Sequence, residues 1–390
     1  MDKNRYCIIM AGGIGSRFWP ISRRSQPKQF LDVLGTGKSF IRHTFERFAR
    51  IIPPENFLVV TNSNYKEQVL CHLPELTDNQ VLCEPVGRNT APCIAYAAWR
   101  LKSVNPSATM IITPSDRNTA PCIAYAAYTL MKQNPDAEMI VTPADHLILN
   151  EEEFCHNIAE SADFAEAHNA MMTIGIHPSR PDTGYGYIQI ETESADGFAA
   201  IHKVKTFTEK PNLEMAKLFV ESGEFFWNSG IFIWKVDTIM ESLAEFLPEM
   251  QQLFASAKDK YNTPEEQQAI NEIYPECREI SIDFGVMEKA RNVYVRCSNF
   301  GWSDIGTWGS LYQHSTKDTE GNVESKTCML YDTRGCIVKG KKDKLVVIEG
   351  LEDFIVVDTD DVLMICPKQN EQNIKKFIDD VNYKIGDKFI

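Results

Sequence analysis

The sequence has no pair of cysteines spaced C-x-x-C, although 11 of its 390 residues are cysteine. The spacing typical of a metal site or a disulfide framework is therefore lacking, and we interpret the cysteines as reduced side chains that are readily buried. No apolar run reaches transmembrane length. The charged N-terminus enters an apolar segment almost at once, so we expect no signal peptide. These absences predict a cytoplasmic protein that does not bind membranes.

Positive charge is also scarce in this chain. Lys and Arg number 40 against 54 Asp and Glu, which gives a formal net charge of −14. Affinity for nucleic acid depends on neutralising phosphates with cations, so we expect no nucleic-acid partner. A small polyanion would need a local group of cations, and Arg17 and Lys28 stand close together in the sequence.

These two cations lie in the run 11–30, A-G-G-I-G-S-R-F-W-P-I-S-R-R-S-Q-P-K-Q-F, which follows the apolar segment 6–10. Glycines directly after a buried strand let backbone N–H groups approach phosphate oxygens. The dinucleotide fingerprint is incomplete because Phe18 occupies its third glycine position, and a P-loop is incomplete because Asp32 occupies its first. The run therefore predicts a nucleoside triphosphate site, with Arg17 and Lys28 as catalytic cations. The expected nucleotide-binding residues are Ala11, Gly12, Gly13, Gly15 and Ser16.

Seven motifs in order make the chain resemble the sugar-1-phosphate nucleotidyltransferases. They are the run above, E-P-V-G-R-N-T-A-P (84–92), P-A-D-H (143–146), G-Y-G-Y-I (184–188), E-K-P (209–211), W-N-S-G-I-F (227–232) and W-S-D-I-G-T-W (302–308). Within that family the chain most resembles the guanylyltransferases of mannose 1-phosphate. The resemblance implies transfer of GMP from GTP to mannose 1-phosphate, with Mg²⁺ as cofactor. Two alternatives for the function stay open: a nucleotidyltransferase that uses another base or sugar, and a non-catalytic regulatory homologue. The oligomeric state also stays open, and a homodimer is one option.

The resemblance also implies roles for particular residues. A base-binding loop would contain Glu84, Pro85, Gly87, Arg88, Asn89 and Thr90. The sugar phosphate would contact Gly184, Tyr185, Gly186, Glu209, Lys210 and Asn228, with Lys210 at its phosphate as a third catalytic cation. Asp145 and Asp304 would bind Mg²⁺, which typically takes one or two carboxylates together with phosphates and waters.

The pattern of apolar segments predicts an α/β fold. Apolar, β-prone runs alternate with helical patterns, which favours a Rossmann-like, mostly parallel sheet flanked by helices. Beyond about residue 318, short β-prone stretches and turns recur, and 370–382 has a helical apolar stripe. We therefore expect a catalytic domain over 1–317 and a small C-terminal β domain over 318–390, which the resemblance implies to be a left-handed β-helix.

Residues 88–116 recur immediately as 117–145, with 20 of the 29 aligned positions identical. Each copy predicts the same helix followed by a strand, whereas the resemblance implies one such unit. Either one unit is extruded from the fold or the sheet takes an extra strand. The base-binding loop continues into the first copy, while Asp145 ends the second. We therefore expect Asp145 rather than Asp116 to bind metal, and the first copy's strand to be the surplus, lying outside or beside the family's sheet.

Overall fold

The computed structural model describes residues 5–11, 15–84, 109–113, 138–141, 145–257, 259–260, 265–273, 276–278, 280–325, 327–341 and 343–390. Two compact units are present. Unit 1 comprises Met1–Gly12, Ile41–Ala144 and Ile148–Trp302, and unit 2 comprises Gly13–Phe40, Asp145–Leu147 and Ser303–Ile390. The division is discontinuous in sequence, because the segment that follows the first strand belongs to unit 2.

The strands of the described residues are β1 (Arg5–Ala11), β2 (Phe57–Asn62), β3 (Val81–Glu84), β4 (Thr109–Thr113), β5 (Glu138–Val141), β6 (Leu147–Ile148), β7 (Met171–Ile176), β8 (Gly186–Ala195), β9 (Phe198–Glu209), β10 (Phe225–Lys235), β11 (Val293–Ser298), β12 (Trp302–Ser303), β13 (Val323–Glu324), β14 (Cys328–Tyr331), β15 (Ile337–Lys339), β16 (Val346–Glu349), β17 (Phe354–Asp358) and β18 (Leu363–Pro367). Their α-helices are α1 (Phe40–Phe48), α2 (Lys66–His72), α3 (Glu151–His168), α4 (Leu213–Ser222), α5 (Val236–Phe246), α6 (Pro248–Ser256), α7 (Glu266–Ile273), α8 (Trp308–His314) and α9 (Ile374–Ile385). None of these described helices is long and apolar enough to cross a membrane.

Unit 1 is built on a ten-stranded sheet in the order β3-β2-β1-β4-β5-β10-β7-β11-β9-β8. The first five strands are parallel to one another. Cys7 and Ile9 lie on one face of β1, because successive side chains alternate between faces, and both are fully buried. The α/β fold predicted from the sequence is confirmed. The second half of the sheet is mixed, since β10 runs antiparallel to β5, β7 and β8.

Both copies of the repeat contribute a strand to this sheet. The first supplies β4 and the second β5, and the two pair in parallel with Met110 opposite Met139 and Ile111 opposite Ile140. Of the two arrangements left open by the sequence, the structure has the extra strand. The expectation that the first copy's strand lies outside or beside the sheet is wrong, because β4 lies inside it, between β1 and β5. The predicted helices of the two copies and Asp116 lie outside the described residues.

The C-terminal part of unit 2 is a β-helix-like stack of short strands. Val323 pairs with Ile337, and Ile337 pairs with Ile355, so β13, β15 and β17 form a parallel ladder. Strands β14 and β16 form a second parallel pair. Cys336, Val338 and Val356 are buried between these ladders. The β-prone stretches of the sequence are thereby confirmed, and the expected final helix is α9, preceded by a 3₁₀ segment over Lys368–Asn373.

The glycine-rich run packs within unit 2 as well. Phe18 and Trp19 lie in one core cluster with Trp308, Ile355 and Ile374. The indole Nε1 of Trp19 donates to the carbonyl of Phe389 at 2.7 Å. The Arg23 guanidinium donates to both carboxylate oxygens of Asp361 at 2.8 and 2.6 Å. The run that follows β1 in the sequence is thus anchored, within unit 2, by residues more than 300 positions away.

Deleting either copy of the repeat is expected to leave a folded protein. Strands β4 and β5 carry nearly the same residues, T-M-I-I-T and E-M-I-V, so either one can pair with β1 on one side and β10 on the other. Variants lacking 88–116 or 117–145 should each unfold cooperatively in a circular dichroism melt, at a midpoint no lower than that of the full chain.

A deletion of the same length over 151–179, which removes α3 and β7, is the control expected to abolish folding. If both repeat deletions abolish folding while the full chain folds, the repeat is an integral part of the sheet.

Candidate functional site

Gly15 lies against the side chain of Lys28 in unit 2. Gly15 has φ 67°, in the left-handed region, where a residue with a Cβ is strained. A Cβ at this position would also overlap the Cβ of Lys28. The turn Ser16–Phe18 follows, burying Phe18 and exposing Ser16 and Arg17. The predicted cation Arg17 therefore lies on the exposed side of the turn, where an anion can reach it.

Lys28 carries a buried ammonium group. The residue is 4 % exposed. Its Nζ donates to Asp145 Oδ2 at 2.7 Å and to the backbone carbonyl of Asp304 at 3.0 Å. The ammonium also lies 5.0 Å from the ring centroid of Phe40 and 5.7 Å from that of Phe18, within the range of a cation–π contact. Carboxylate, carbonyl and aromatic faces together hold the charge in one position.

Of the two aspartates that the sequence predicts to bind metal, Asp145 contacts Lys28 through its carboxylate and Asp304 through its backbone carbonyl. The Asp304 carboxylate accepts a hydrogen bond from the backbone N–H of Gly306 at 3.0 Å. A Cβ on Gly306 would lie 2.5 Å from Asp304 Oδ2, so a side chain there would displace the carboxylate from this position. Within the described residues, no group of three or more His, Cys, Asp or Glu side chains could hold a metal ion. We define Gly15, Lys28, Asp145 and Asp304 as the Lys28 cluster.

Two of the expected nucleotide-binding residues, Ala11 and Glu84, lie at the carboxyl ends of strands in unit 1. Ala11 ends β1 and lies opposite Thr61, whose Oγ1 donates to the Ala11 carbonyl at 2.8 Å. Glu84 ends β3 opposite Asn62. Ligands of open α/β sheets bind at this edge, as the prediction for Ala11 and Glu84 requires. Outside the described residues lie Gly12, Gly13, Pro85, Gly87, Arg88, Asn89 and Thr90.

Aromatic rings surround Tyr185 in unit 1, at the predicted sugar-phosphate positions. Its ring meets Trp227 and Trp302 edge to face, with centroids 5.0 and 5.2 Å apart. Arg180, which the sequence analysis did not single out, lies over Trp227 at 5.2 Å and pairs with Asp182 at 2.7 Å. Gly184 donates its N–H to the Asp182 carboxylate at 2.9 Å. This carboxylate thus holds both the loop before Tyr185 and a nearby cation.

Gly186, Glu209 and Asn228 converge in the same unit. Gly186 pairs with Glu209 across β8 and β9. A Cβ on Gly186 would lie 2.5 Å from Glu209 Oε2 and 3.6 Å from the Cβ of Asn228, so a side chain at this position would displace the Glu209 carboxylate. Lys210 has φ 47° and forms an ion pair with Glu209. We define Gly186, Glu209, Lys210, Asn228 and Asp283 as the Asn228 cluster.

Asp283 belongs to this cluster although sequence reasoning missed it. Its Oδ1 accepts a hydrogen bond from Asn228 Nδ2 at 2.7 Å. Asp283 begins the π-helical turn Asp283–Met287, a feature frequent at functional sites. The carboxyl is surrounded by protein, although the residue keeps part of its surface exposed. Burial, followed by the negative charge of Glu209, raises the pKa of Asp283 to about 6. The signal in the sequence was a single acid inside the largely apolar run I-S-I-D-F-G-V-M.

Comparison with known proteins matches both parts of the chain. The nucleotidyl transferase family model matches residues 6–117 and 102–321. The two ranges overlap at the end of the first repeat copy, where this chain has two units in tandem. The MannoseP isomerase/GMP-like beta-helix domain model matches residues 323–381, in agreement with the stacked short strands of unit 2.

Individual relatives cover nearly the whole chain. A mannose-1-phosphate guanylyltransferase of Salmonella montevideo is 34 % identical over 96 % of this chain and 73 % of its own length. One of Klebsiella pneumoniae is 33 % identical over 95 % and 73 %. A crystal structure described as a mannose-1-phosphate geranyltransferase from Thermus thermophilus superposes with a TM-score of 0.78, at 27 % identity, covering 97 % of this chain and 99 % of that chain.

Replacing Asp283 by Asn is expected to stabilise the protein more at pH 8 than at pH 5. The pKa of Asp283 is about 6 in the folded protein and about 3.9 in an unfolded chain. The folded state thus binds the proton more tightly, and the stability this contributes below pH 4 is lost as pH rises through 6. A shift of this size corresponds to about 3 kcal/mol, and we expect less because Asp283 keeps some exposure.

Thermal midpoints of the wild type and Asp283→Asn, measured from pH 5 to 8, test this. Glu221→Gln, at an exposed position, controls for the loss of one negative charge. A difference in midpoint between Asp283→Asn and wild type that stays constant with pH would contradict the prediction.

Proposed function

The chain belongs to the nucleotidyl transferase family and is a sugar-1-phosphate nucleotidyltransferase, and from this premise we propose that it transfers GMP from GTP to mannose 1-phosphate. The products are GDP-mannose and pyrophosphate. The relatives named above as mannose-1-phosphate guanylyltransferases support this choice of substrates. The observation that carries the proposal is the Lys28 cluster, in which a buried cation donates to the carboxylate of Asp145 and to the backbone carbonyl of Asp304.

The reaction needs positive charge on the protein and alignment of the two substrates, and it needs no general base. A phosphate monoester has its second pKa near 6, so at neutral pH the sugar phosphate is already largely a dianion. One of its oxygens forms a bond to the α-phosphorus of GTP as the bond to the bridging oxygen breaks, and pyrophosphate leaves with that electron pair. In such displacements a protein contributes alignment and electrostatic stabilisation. Arg17 and Lys28 supply fixed positive charge, and Arg17 is the exposed one of the two.

Asp145 and Asp304 are the residues that would hold Mg²⁺. The donor set fits this ion, because Mg²⁺ is usually bound by one or two carboxylates, with waters and substrate phosphates as the other ligands. No larger protein cage is found among the described residues. When bound, the ion would neutralise charge on the phosphates. Lys28 keeps Asp145 in place through its 2.7 Å ion pair.

The Asn228 cluster would bind the sugar phosphate. Lys210 provides a cation for the phosphate of the sugar phosphate. Its left-handed backbone and its ion pair with Glu209 hold Lys210 within the cluster. Glu209 and Asn228 carry the polar groups for sugar hydroxyls. Gly184 and Gly186 leave the backbone open to close approach.

Pyrophosphate release from purified protein tests the proposal directly. GTP with mannose 1-phosphate should give turnover well above any other pairing. ATP, UTP and dTTP, and glucose 1-phosphate, are the comparison substrates that separate a nucleotidyltransferase of different specificity. Binding of GDP-mannose without any turnover would instead favour a regulatory homologue.

Lys28→Ala is expected to lower kcat by about 10²- to 10³-fold, because removing one preorganised charge from such a site typically costs this much. The matched control is Lys38→Ala, an exposed lysine in the loop that follows, which should keep turnover within about twofold. Circular dichroism should show both variants folded at the assay temperature. Near-wild-type turnover of Lys28→Ala would remove Lys28 from the mechanism.

Asp304→Asn should lose Mg²⁺-dependent turnover while the fold is retained. The substitution keeps the side-chain shape and its contact with Gly306, but removes a negative charge. A Mg²⁺ titration of turnover, from micromolar to tens of millimolar, is the measurement. Normal activity of the variant across this range would show that Asp304 is not a ligand.

A further inference from the structure

The amide of Asn228 has a defined orientation in unit 1. Its Oδ1 faces the backbone N–H of Gly230 at 3.2 Å and the hydroxyl of Thr173 at 3.3 Å. A backbone N–H can only donate, so the atom facing Gly230 must be the oxygen. Thr173 is fully buried. The oxygen end of the amide is therefore directed into the protein.

The nitrogen end of the same amide is held by Asp283. Nδ2 donates to Asp283 Oδ1 at 2.7 Å, a length typical of a hydrogen bond strengthened by charge. An amide nitrogen carries two N–H groups, and among the described residues the second has no acceptor. Asn228 is itself only partly buried. The second N–H is thus the group that a ligand can reach.

The groups around Asn228 indicate which class of ligand would bind there. Asn228 and Glu209 both lie against Gly186, and Lys210 pairs with Glu209. A donor N–H, a carboxylate and a cation therefore converge on one glycine. This combination suits a hydroxylated ring that carries a phosphate, because hydroxyl groups both donate and accept while the phosphate needs a cation.

We propose that Asp283 is a positioning residue for sugar recognition, which holds Asn228 so that its second Nδ2 N–H donates to a hydroxyl oxygen of the sugar phosphate. The inference rests on the proposed function, which assigns Asn228 to the sugar. Asp283 contacts no substrate in this role. It acts through Asn228, and without an acceptor at this position the amide is held from its oxygen end alone.

Steady-state kinetics of Asp283→Ala and Asp283→Asn test the proposal. Asp283→Ala removes the acceptor and should raise the KM for mannose 1-phosphate by about 10- to 100-fold, the range for losing a hydrogen bond to a charged group. The KM for GTP should stay within about twofold. Asp283→Asn keeps an acceptor oxygen and should restore the KM for mannose 1-phosphate to within about threefold of wild type.

Glu288→Gln is the matched control. Glu288 is a nearby acid whose pKa is raised by burial and then by Glu209, but it makes no hydrogen bond to Asn228 among the described contacts. Its variant should leave both KM values within about twofold of wild type. Equal effects of Asp283→Ala on both KM values, no effect on either, or no rescue by Asp283→Asn would overturn the proposal and leave Asp283 a structural residue.

Binding of mannose 1-phosphate by calorimetry separates this inference from the proposed function. If the wild type binds the sugar phosphate but does not turn over, the proposed function fails. The ratio of dissociation constants among wild type, Asp283→Ala and Asp283→Asn then tests the positioning role with the same expected factors. If Asp283→Ala does not fold, Asp283→Leu replaces it as the variant without an acceptor. If the wild type binds no sugar 1-phosphate, both proposals are wrong.

Discussion

The buried ammonium of Lys28 is the constraint on which unit 2 depends. A charge that is 4 % exposed must find partners, because breaking a buried ion pair typically costs about 3–5 kcal/mol. Its partners come from three separate parts of the chain, namely Phe18 and Phe40, Asp145, and Asp304. Apolar residues could join the same segments without the cost of removing charge from water. A buried cation at this position is what the proposed polyanionic substrate would require.

Local patterns predicted much of the fold. The apolar run before the glycines is β1, the short β-prone stretches after residue 318 are the stacked strands of unit 2, and α9 follows them. The sequence did not predict that Phe18 and Trp19 pack against Trp308 and the β17 strand. Hydrophobic periodicity reports which residues are buried but not which distant surface covers them. The antiparallel course of β10 was missed for the same reason, since strand direction depends on the connections rather than on composition.

For the candidate site, too, some residues could be predicted from the sequence and others could not. Family motifs predicted Lys28, Asp145 and Asp304, and in unit 2 these three residues meet. Their meeting does not require β1 and β5 to be neighbours, although β4 now separates these strands, each strand adding about 4.8 Å to the sheet. Lys28 follows β1 in the sequence and Asp145 follows β5, and both residues belong to unit 2. The extra strand belongs to unit 1, while the contact between cation and carboxylate is made within unit 2. The segment around Asp283 shows a single acid among largely apolar residues but not its partner, because the hydrogen bond is made to Asn228, 55 residues earlier.

A dianionic substrate beside Glu209 and Asp283 raises an electrostatic question in a chain of net charge −14. Two carboxylates near a sugar phosphate would repel it unless their charge is reduced. Glu209 is paired with Lys210. The negative charge of Asp283 is directed at the amide of Asn228, whose Nδ2 donates to Asp283 Oδ1 at 2.7 Å. In the proposed arrangement the ligand therefore meets an N–H of Asn228 and does not contact the carboxylate of Asp283. A carboxylate at position 228 would face Asp283 and repel the phosphate, whereas the amide converts a negative group into an oriented donor.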